Sequence, residues 1–144
     1  MNANSGDLSR FIDAQNSIYS RVTAELAAGQ KQSHWMWFVF PQVAGLGSSA
    51  MAQRYAIGSR AEAEAYLAHP VLGPRLVECT RLVLAVTGKS LRQILGSPDD
   101  VKFRSCTTLF DSVNPNADFA AALDRYCDGD RDPATLAFLQ RGSV

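Results

Sequence analysis

His34-Trp35-Met36-Trp37-Phe38-Val39-Phe40-Pro41-Gln42 is the densest apolar stretch of a 144-residue chain, and its reading decides the fold. Four of the six residues at 35–40 are aromatic. Aromatic and β-branched side chains at that density suit a strand. So short a run between helical neighbours suits one or two buried helical turns, which is the favoured reading. Pro41 ends either element, because it has no N–H to continue a ladder or a helix.

Upstream, Leu8, Phe11, Ile12, Gln15, Ile18, Tyr19, Val22 and Leu26 recur at helical spacing. They predict one helix over 8–28, capped by Asp7 and ended by Gly29 in the left-handed region. Downstream, 43–48 reads as a loop, and Ser48 or Ser49 caps a short helix to about Tyr55. Ser59-Arg60-Ala61-Glu62 has the form of a capping box and opens a helix over about 60–68. His69-Pro70 breaks it. Leu72, Leu76, Cys79, Val83 and Val86 stripe the next helix, which Gly88 ends. Ser90-Leu91-Arg92-Gln93 starts a short helix closed by Gly96. Ser97-Pro98-Asp99-Asp100 combines a cap, a first-turn proline and two acids at the positive end of the dipole. That helix runs to about Asp111. Asn116 caps 117–127, with Phe119, Leu123 and Tyr126 inward. Asp132-Pro133 opens a last helix carrying Leu136 and Leu139.

Seven to eight short helices on short links, without strand alternation of useful length, predict one all-α domain over 1–144. Residues 1–6 are expected to form a flexible lead. The length is ordinary for one domain and permits a core without disulfides or metals. Hydrophobic residues at 47% and charged residues at 19% oppose disorder.

Fourteen Lys and Arg offset fourteen Asp and Glu, and no basic run or helix face appears. Nucleic acid is therefore not an expected partner, nor is a membrane surface. No stretch approaches the ~20 apolar residues of a membrane span. The polar start, Met1-Asn2-Ala3-Asn4, lacks the features of a secretory signal. Cys79, Cys106 and Cys127 are odd in number, widely spaced and without CxxC, which suits reduced thiols in a cytoplasmic protein. His34 and His69 lack a metalloenzyme context, so no metal and no cofactor are expected.

The opening block, continued by Gly45-Leu46-Gly47-Ser48, resembles the signature of a bacterial family catalogued as domain of unknown function 1810. Ala65-Tyr66-Leu67-Ala68-His69-Pro70-Val71-Leu72-Gly73 with Arg75-Leu76 resembles a second block of that family. Asp99-Asp100-Val101-Lys102 with Ser105 and Thr108-Leu109-Phe110 resembles a third. The blocks come in order and cover about residues 7–140. The resemblance implies a small all-α protein and brings no established activity. The chain departs from the family's habit at Cys106, commonly serine, and at Thr107, commonly apolar. A role resting on a serine pair is therefore not carried over to this chain by the resemblance.

Candidate chemistry centres on the same blocks. Phe38 and Phe40 read as core. Trp35 and Trp37 read either as core or as the stacking wall of a ligand pocket, since an indole N–H needs a partner. His34 is the candidate acid–base, titrating near working pH. Its other reading is a histidine bonded to backbone. Lys31 reads as a surface charge. Gln42 satisfies a helix end or contacts a ligand. Gly45, Gly47 and Ser48 could form an anion nest or only a turn. Asp99 and Asp100 read as dipole partners. At ~100° per residue, Lys102 and Ser105 are neighbours on one face, while Arg104 points away and suits a salt bridge. Lys102 is the second catalytic candidate; Ser105 and Thr108 are candidate ligand residues.

Two functions follow. In one, a small-ligand pocket takes a phosphate-bearing, nucleotide-like or ADP-ribose-like compound, with hydrolysis or transfer as its possible chemistry. In the other, a non-catalytic interaction or structural module uses the aromatic block as core.

Overall fold

A computed structural model describes residues 8–142. The expectations of a flexible lead at 1–6 and of a cap at Asp7 lie outside the described residues. Among the described residues the structure is all-α, with ten helices and no sheet. They are α1 (Ser9–Asn16), α2 (Tyr19–Ala27), α3 (Met36–Val39), α4 (Ala50–Arg54), α5 (Arg60–Ala68), α6 (Leu72–Ala85), α7 (Leu91–Leu95), α8 (Asp99–Val113), α9 (Ala117–Cys127) and α10 (Pro133–Gly142).

The segment 35–40 is helical: a single turn, Met36–Val39, with Met36, Phe38 and Val39 buried. The helix expected over 8–28 is two helices, parted at Ser17–Ile18. The stripe crosses that break because Phe11 and Gln15 on α1 and Val22 and Leu26 on α2 all face the same core. Periodicity reports burial, not backbone continuity.

Caps followed the sequence closely. Ser49 Oγ accepts from Ala52 N at 3.1 Å, and Asn116 Oδ1 accepts from Asp118 N at 2.7 Å. Ser90 and Gln93 form the reciprocal box. At α5 only half the expected box exists. Ser59 Oγ accepts from Glu62 N, but the Glu62 carboxylate takes Gly58 N at 2.7 Å instead of reaching Ser59. At α8 the cap position is Pro98, and no side chain caps the start. The proline therefore precedes the first helical turn rather than joining it.

α8 is the axis of the fold. Phe103, Cys106, Leu109 and Phe110 are fully buried along it, and α5, α7, α9 and α10 pack around it. α6 lies between α5 and α9 and also carries α2. The turn from α5 to α6 is tight: a Cβ on Gly73 would stand 2.1 Å from the Leu67 carbonyl oxygen. Beside α4, Val43 and Ile57 make one parallel bridge. Ala44 N donates to Ile57 O at 2.9 Å and Ile57 N to Gln42 O at 2.8 Å. No helix among the described residues is long and apolar enough to cross a membrane.

Candidate functional site

The aromatic block is held by a carboxylate the sequence did not single out. Glu25, on α2, accepts from Gln32 N at 2.8 Å, Ser33 N at 3.0 Å, Ser33 Oγ at 2.6 Å and Trp35 Nε1 at 2.9 Å. Burial pushes its pKa up, but those four donors outweigh burial and hold it at about 2. Trp35 is fully buried and its N–H is satisfied. Phe40 packs edge-on against Phe103 at 5.0 Å, and Phe38 lies 5.2 Å from Tyr55. Gln15 Nε2 donates to the Phe38 carbonyl at 2.7 Å, tying the block to α1. Most of the block is core.

Its margin is polar. Lys31, read from the sequence as a surface charge, has a side chain only 9% exposed. Its Nζ pairs with Asp99 at 2.9 Å and sits 5.2 Å from the centre of the Trp35 ring. Lys102 Nζ lies 3.8 Å from the same carboxylate and 5.6 Å from the half-buried Trp37 ring. Asp99 is thus more than a dipole partner: it anchors two ammonium groups, each beside an indole.

Four of the candidate residues meet. Trp37, Gln42, Gly47 and Lys102 line one crevice, of about 10 Å³. That volume holds about one water. Gly47 packs tightly against α4 there, since a Cβ on it would come within 2.6 Å of Ala52 Cβ. The other candidates lie elsewhere. His34 is exposed on the segment leading into α3. Ser105 is buried and its hydroxyl donates to the Val101 carbonyl at 3.3 Å. Thr108 is fully buried and its Oγ1 accepts from Asp132 N at 3.1 Å, fastening the start of α10. Gly45 and Ser48 are exposed; Gly45 has a φ of +97°, and the Ser48 carbonyl accepts from Gln53 Nε2 at 2.8 Å. Arg104 makes no salt bridge among the described residues and instead donates to the carbonyls of Asp130 and Arg131.

The roomy concavities are away from the block. The larger is a groove of about 850 Å³ between α6 and α9, floored by Leu67, Val77, Leu82 and Phe119. Glu78, Arg81, Asn114 and Asn116 rim it. Glu78 accepts from the Tyr19 hydroxyl, and Arg81 Nε pairs with Asp118 at 2.8 Å. Burial and the Glu78 hydrogen bond raise the Tyr19 pKa, so this phenol stays protonated. A second cavity, of about 620 Å³, lies where the loop at Gly45 meets the start of α5 and the end of α10. Neither was anticipated as a cavity, although Gly45, a candidate ligand residue from the sequence, lines the second. Their residues come from elements distant in sequence, and several, such as Asn116 and Ser59, already had a full local explanation as caps. Among the described residues no group of His, Cys, Asp and Glu could hold a metal ion.

The chain is similar to known proteins along nearly its whole length. Residues 5–139 match the model of a family described as "Protein of unknown function (DUF1810)". The crystal structure of the conserved hypothetical protein Rv1873 from Mycobacterium tuberculosis is 53% identical and superposes with a TM-score of 0.91, covering 93% of this chain and 96% of that one. No curated protein matches.

Proposed function

Because the chain belongs to the DUF1810 family, whose description assigns no activity, we propose its function from its own cavities: it is a small-ligand-binding domain, and the ligand's apolar body lies in the groove between α6 and α9. The observation that carries this reading is the groove itself. Its volume, about 850 Å³, is that of a ligand site, with an apolar floor and a few polar groups at the rim. The rim chemistry narrows the ligand. Arg81 is neutralised by Asp118, and Glu78 is already an acceptor. A neutral body offering an amide or hydroxyl to Asn114 and Asn116 suits this rim better than a phosphate does.

One observation favours the alternative of a non-catalytic module with the block as core. Trp35, one of the block's two indoles, is fully buried with its N–H engaged by Glu25. The two readings agree on the block and differ on the groove. In the ligand reading, the Trp37–Lys102 crevice is a water-sized margin of the core and the groove is the site.

The test is an amide NMR titration with neutral aromatic amides and, separately, with nucleotides. Amides that shift α6 and α9 signals saturably, and lose that effect in Val77→Trp, support the groove. Nucleotide-induced shifts at Trp37 and Lys102, abolished by Lys102→Ala, would return the site to the aromatic block. Absence of any saturable shift in α6 and α9 leaves the module reading in possession.

A further inference from the structure

The cavity beside Gly45 differs from the groove in sign. Its volume is about 620 Å³, within the range of small-molecule sites. Arg60 and Arg141 line it, and among the described residues no carboxylate does. The nearest acids are engaged with other groups. Glu62 accepts from Gly58 N at 2.7 Å and pairs with Arg10 at 3.3 Å. Glu64 pairs with Arg60 Nε at 3.5 Å along the exposed side of α5. Arg60 also donates through one terminal nitrogen to the Ser112 carbonyl at 3.3 Å. Arg141 is exposed and has no ion-pair partner among the described residues. Phe138, half-buried one turn before it, brings an aromatic ring to the lining.

The remaining wall is backbone held in place. The Val43–Ile57 bridge sets the loops carrying Gly45 and Gly58 side by side. Gly45 adopts a φ of +97°, which favours glycine, and nothing lies within 4 Å of where a Cβ would stand. A ligand could therefore approach the chain closely at that point.

We propose that this cavity binds a small phosphate monoester carrying a planar ring, with the phosphate between Arg60 and Arg141 and the ring against Phe138. Two guanidinium forks match phosphate oxygens in geometry as well as charge. Among the described residues the lining carries Arg141, which has no ion-pair partner, and Arg60, which shares its charge with Glu64, and this excess of positive charge draws an anion in preference to a neutral or cationic ligand. The aromatic ring adds a stacking face that inorganic phosphate cannot use. This site is independent of the α6–α9 groove, so either can fail without the other.

Amide NMR titrations of the full chain test it, with inorganic phosphate, a nucleoside monophosphate and the unphosphorylated nucleoside as probes. The monophosphate is expected to shift Gly45, Gly58 and Ala61 saturably below about 10 mM, and to bind about tenfold more tightly than inorganic phosphate. The bare nucleoside is expected not to bind. Arg141→Ala, at an exposed position, should weaken the monophosphate about tenfold or more. Phe138→Leu should abolish the advantage over inorganic phosphate while phosphate itself still binds. Val77→Trp, in the other groove, should change nothing. Wild-type affinity in Arg141→Ala, shifts mapping elsewhere, or no saturation would each overturn the proposal.

Discussion

Glu25 shows how much one side chain can organise without being conspicuous. It stands on α2 one position before the buried Leu26, and four donors from 32–35 converge on it. Hydrogen bonds to a charged acceptor are worth about 1.5–3 kcal/mol each when made, and the net is smaller in a half-exposed group. Glu25→Gln should therefore lower stability by about 1–2 kcal/mol at neutral pH. The pH dependence has a definite sign. The folded pKa is depressed from 4.5 to about 2, so the stabilisation is complete above 4.5 and drains away as pH falls toward 2. Urea titrations should show wild type and Glu25→Gln converging over that window; a constant gap from pH 6 to pH 2.5 would refute the assignment. The two lysines at Asp99 give a second contrast. Lys31 is nearly buried and 2.9 Å from the carboxylate, whereas Lys102 is 23% exposed and 3.8 Å away. Lys31→Ala should cost about 1–3 kcal/mol, and Lys102→Ala under about 1 kcal/mol. Equal costs by chemical denaturation would mean that burial does not separate them.

At the scale of elements, the turn from α5 to α6 is the most sterically demanding join. Gly73 is helical and needs no unusual dihedral; it is glycine because the Leu67 carbonyl leaves no room for a Cβ. Gly73→Ala should destabilise by about 3 kcal/mol or more, since backbone rather than a flexible side chain must move. A thermal melt within about a degree of wild type would contradict the close approach, given that 1 kcal/mol shifts a chain of this size by several degrees. Elements were largely legible beforehand. Ser49, Ser90 and Asn116 cap helices because a short side-chain oxygen can reach an amide two or three residues on, and such signals are local. The break at Ser17–Ile18 was hidden because the apolar stripe runs through it. Pro98 was placed one position too late, because a proline suits the cap as well as the first turn.

For the whole molecule, the three cysteines report on the integrity of the core. Cys79 and Cys106 are buried on α6 and α8, and Cys127 is half-buried at the end of α9. Burial pushes Cys79 to about 12 and Cys106 well above the ordinary thiol value; it also raises Cys127. Since the thiolate is the reactive form, Cys79 and Cys106 should resist a thiol reagent at pH 8 while the chain is folded. Cys127 should react slowly and first, and all three should react at once in denaturant. Rapid labelling of Cys106 in the native state would mean that α8 is not enclosed as described.

The sequence by itself determined the all-α class, most caps and breaks, and the burial of Phe38 and Phe40. Those depend on residues within a few positions of one another and on the apolar stripe each helix must hide. It also marked Trp37, Gln42, Gly47 and Lys102, which do converge, but it could not show that their crevice has room for only about one water. Volume is a property of packing between distant segments. Only the tertiary structure brought Glu25 to Trp35, Lys31 to Asp99, and Arg60 and Arg141 to the lining of one cavity. Each of those pairings depends on how helices cross, and crossing is decided by the summed fit of many side chains, which no local pattern encodes.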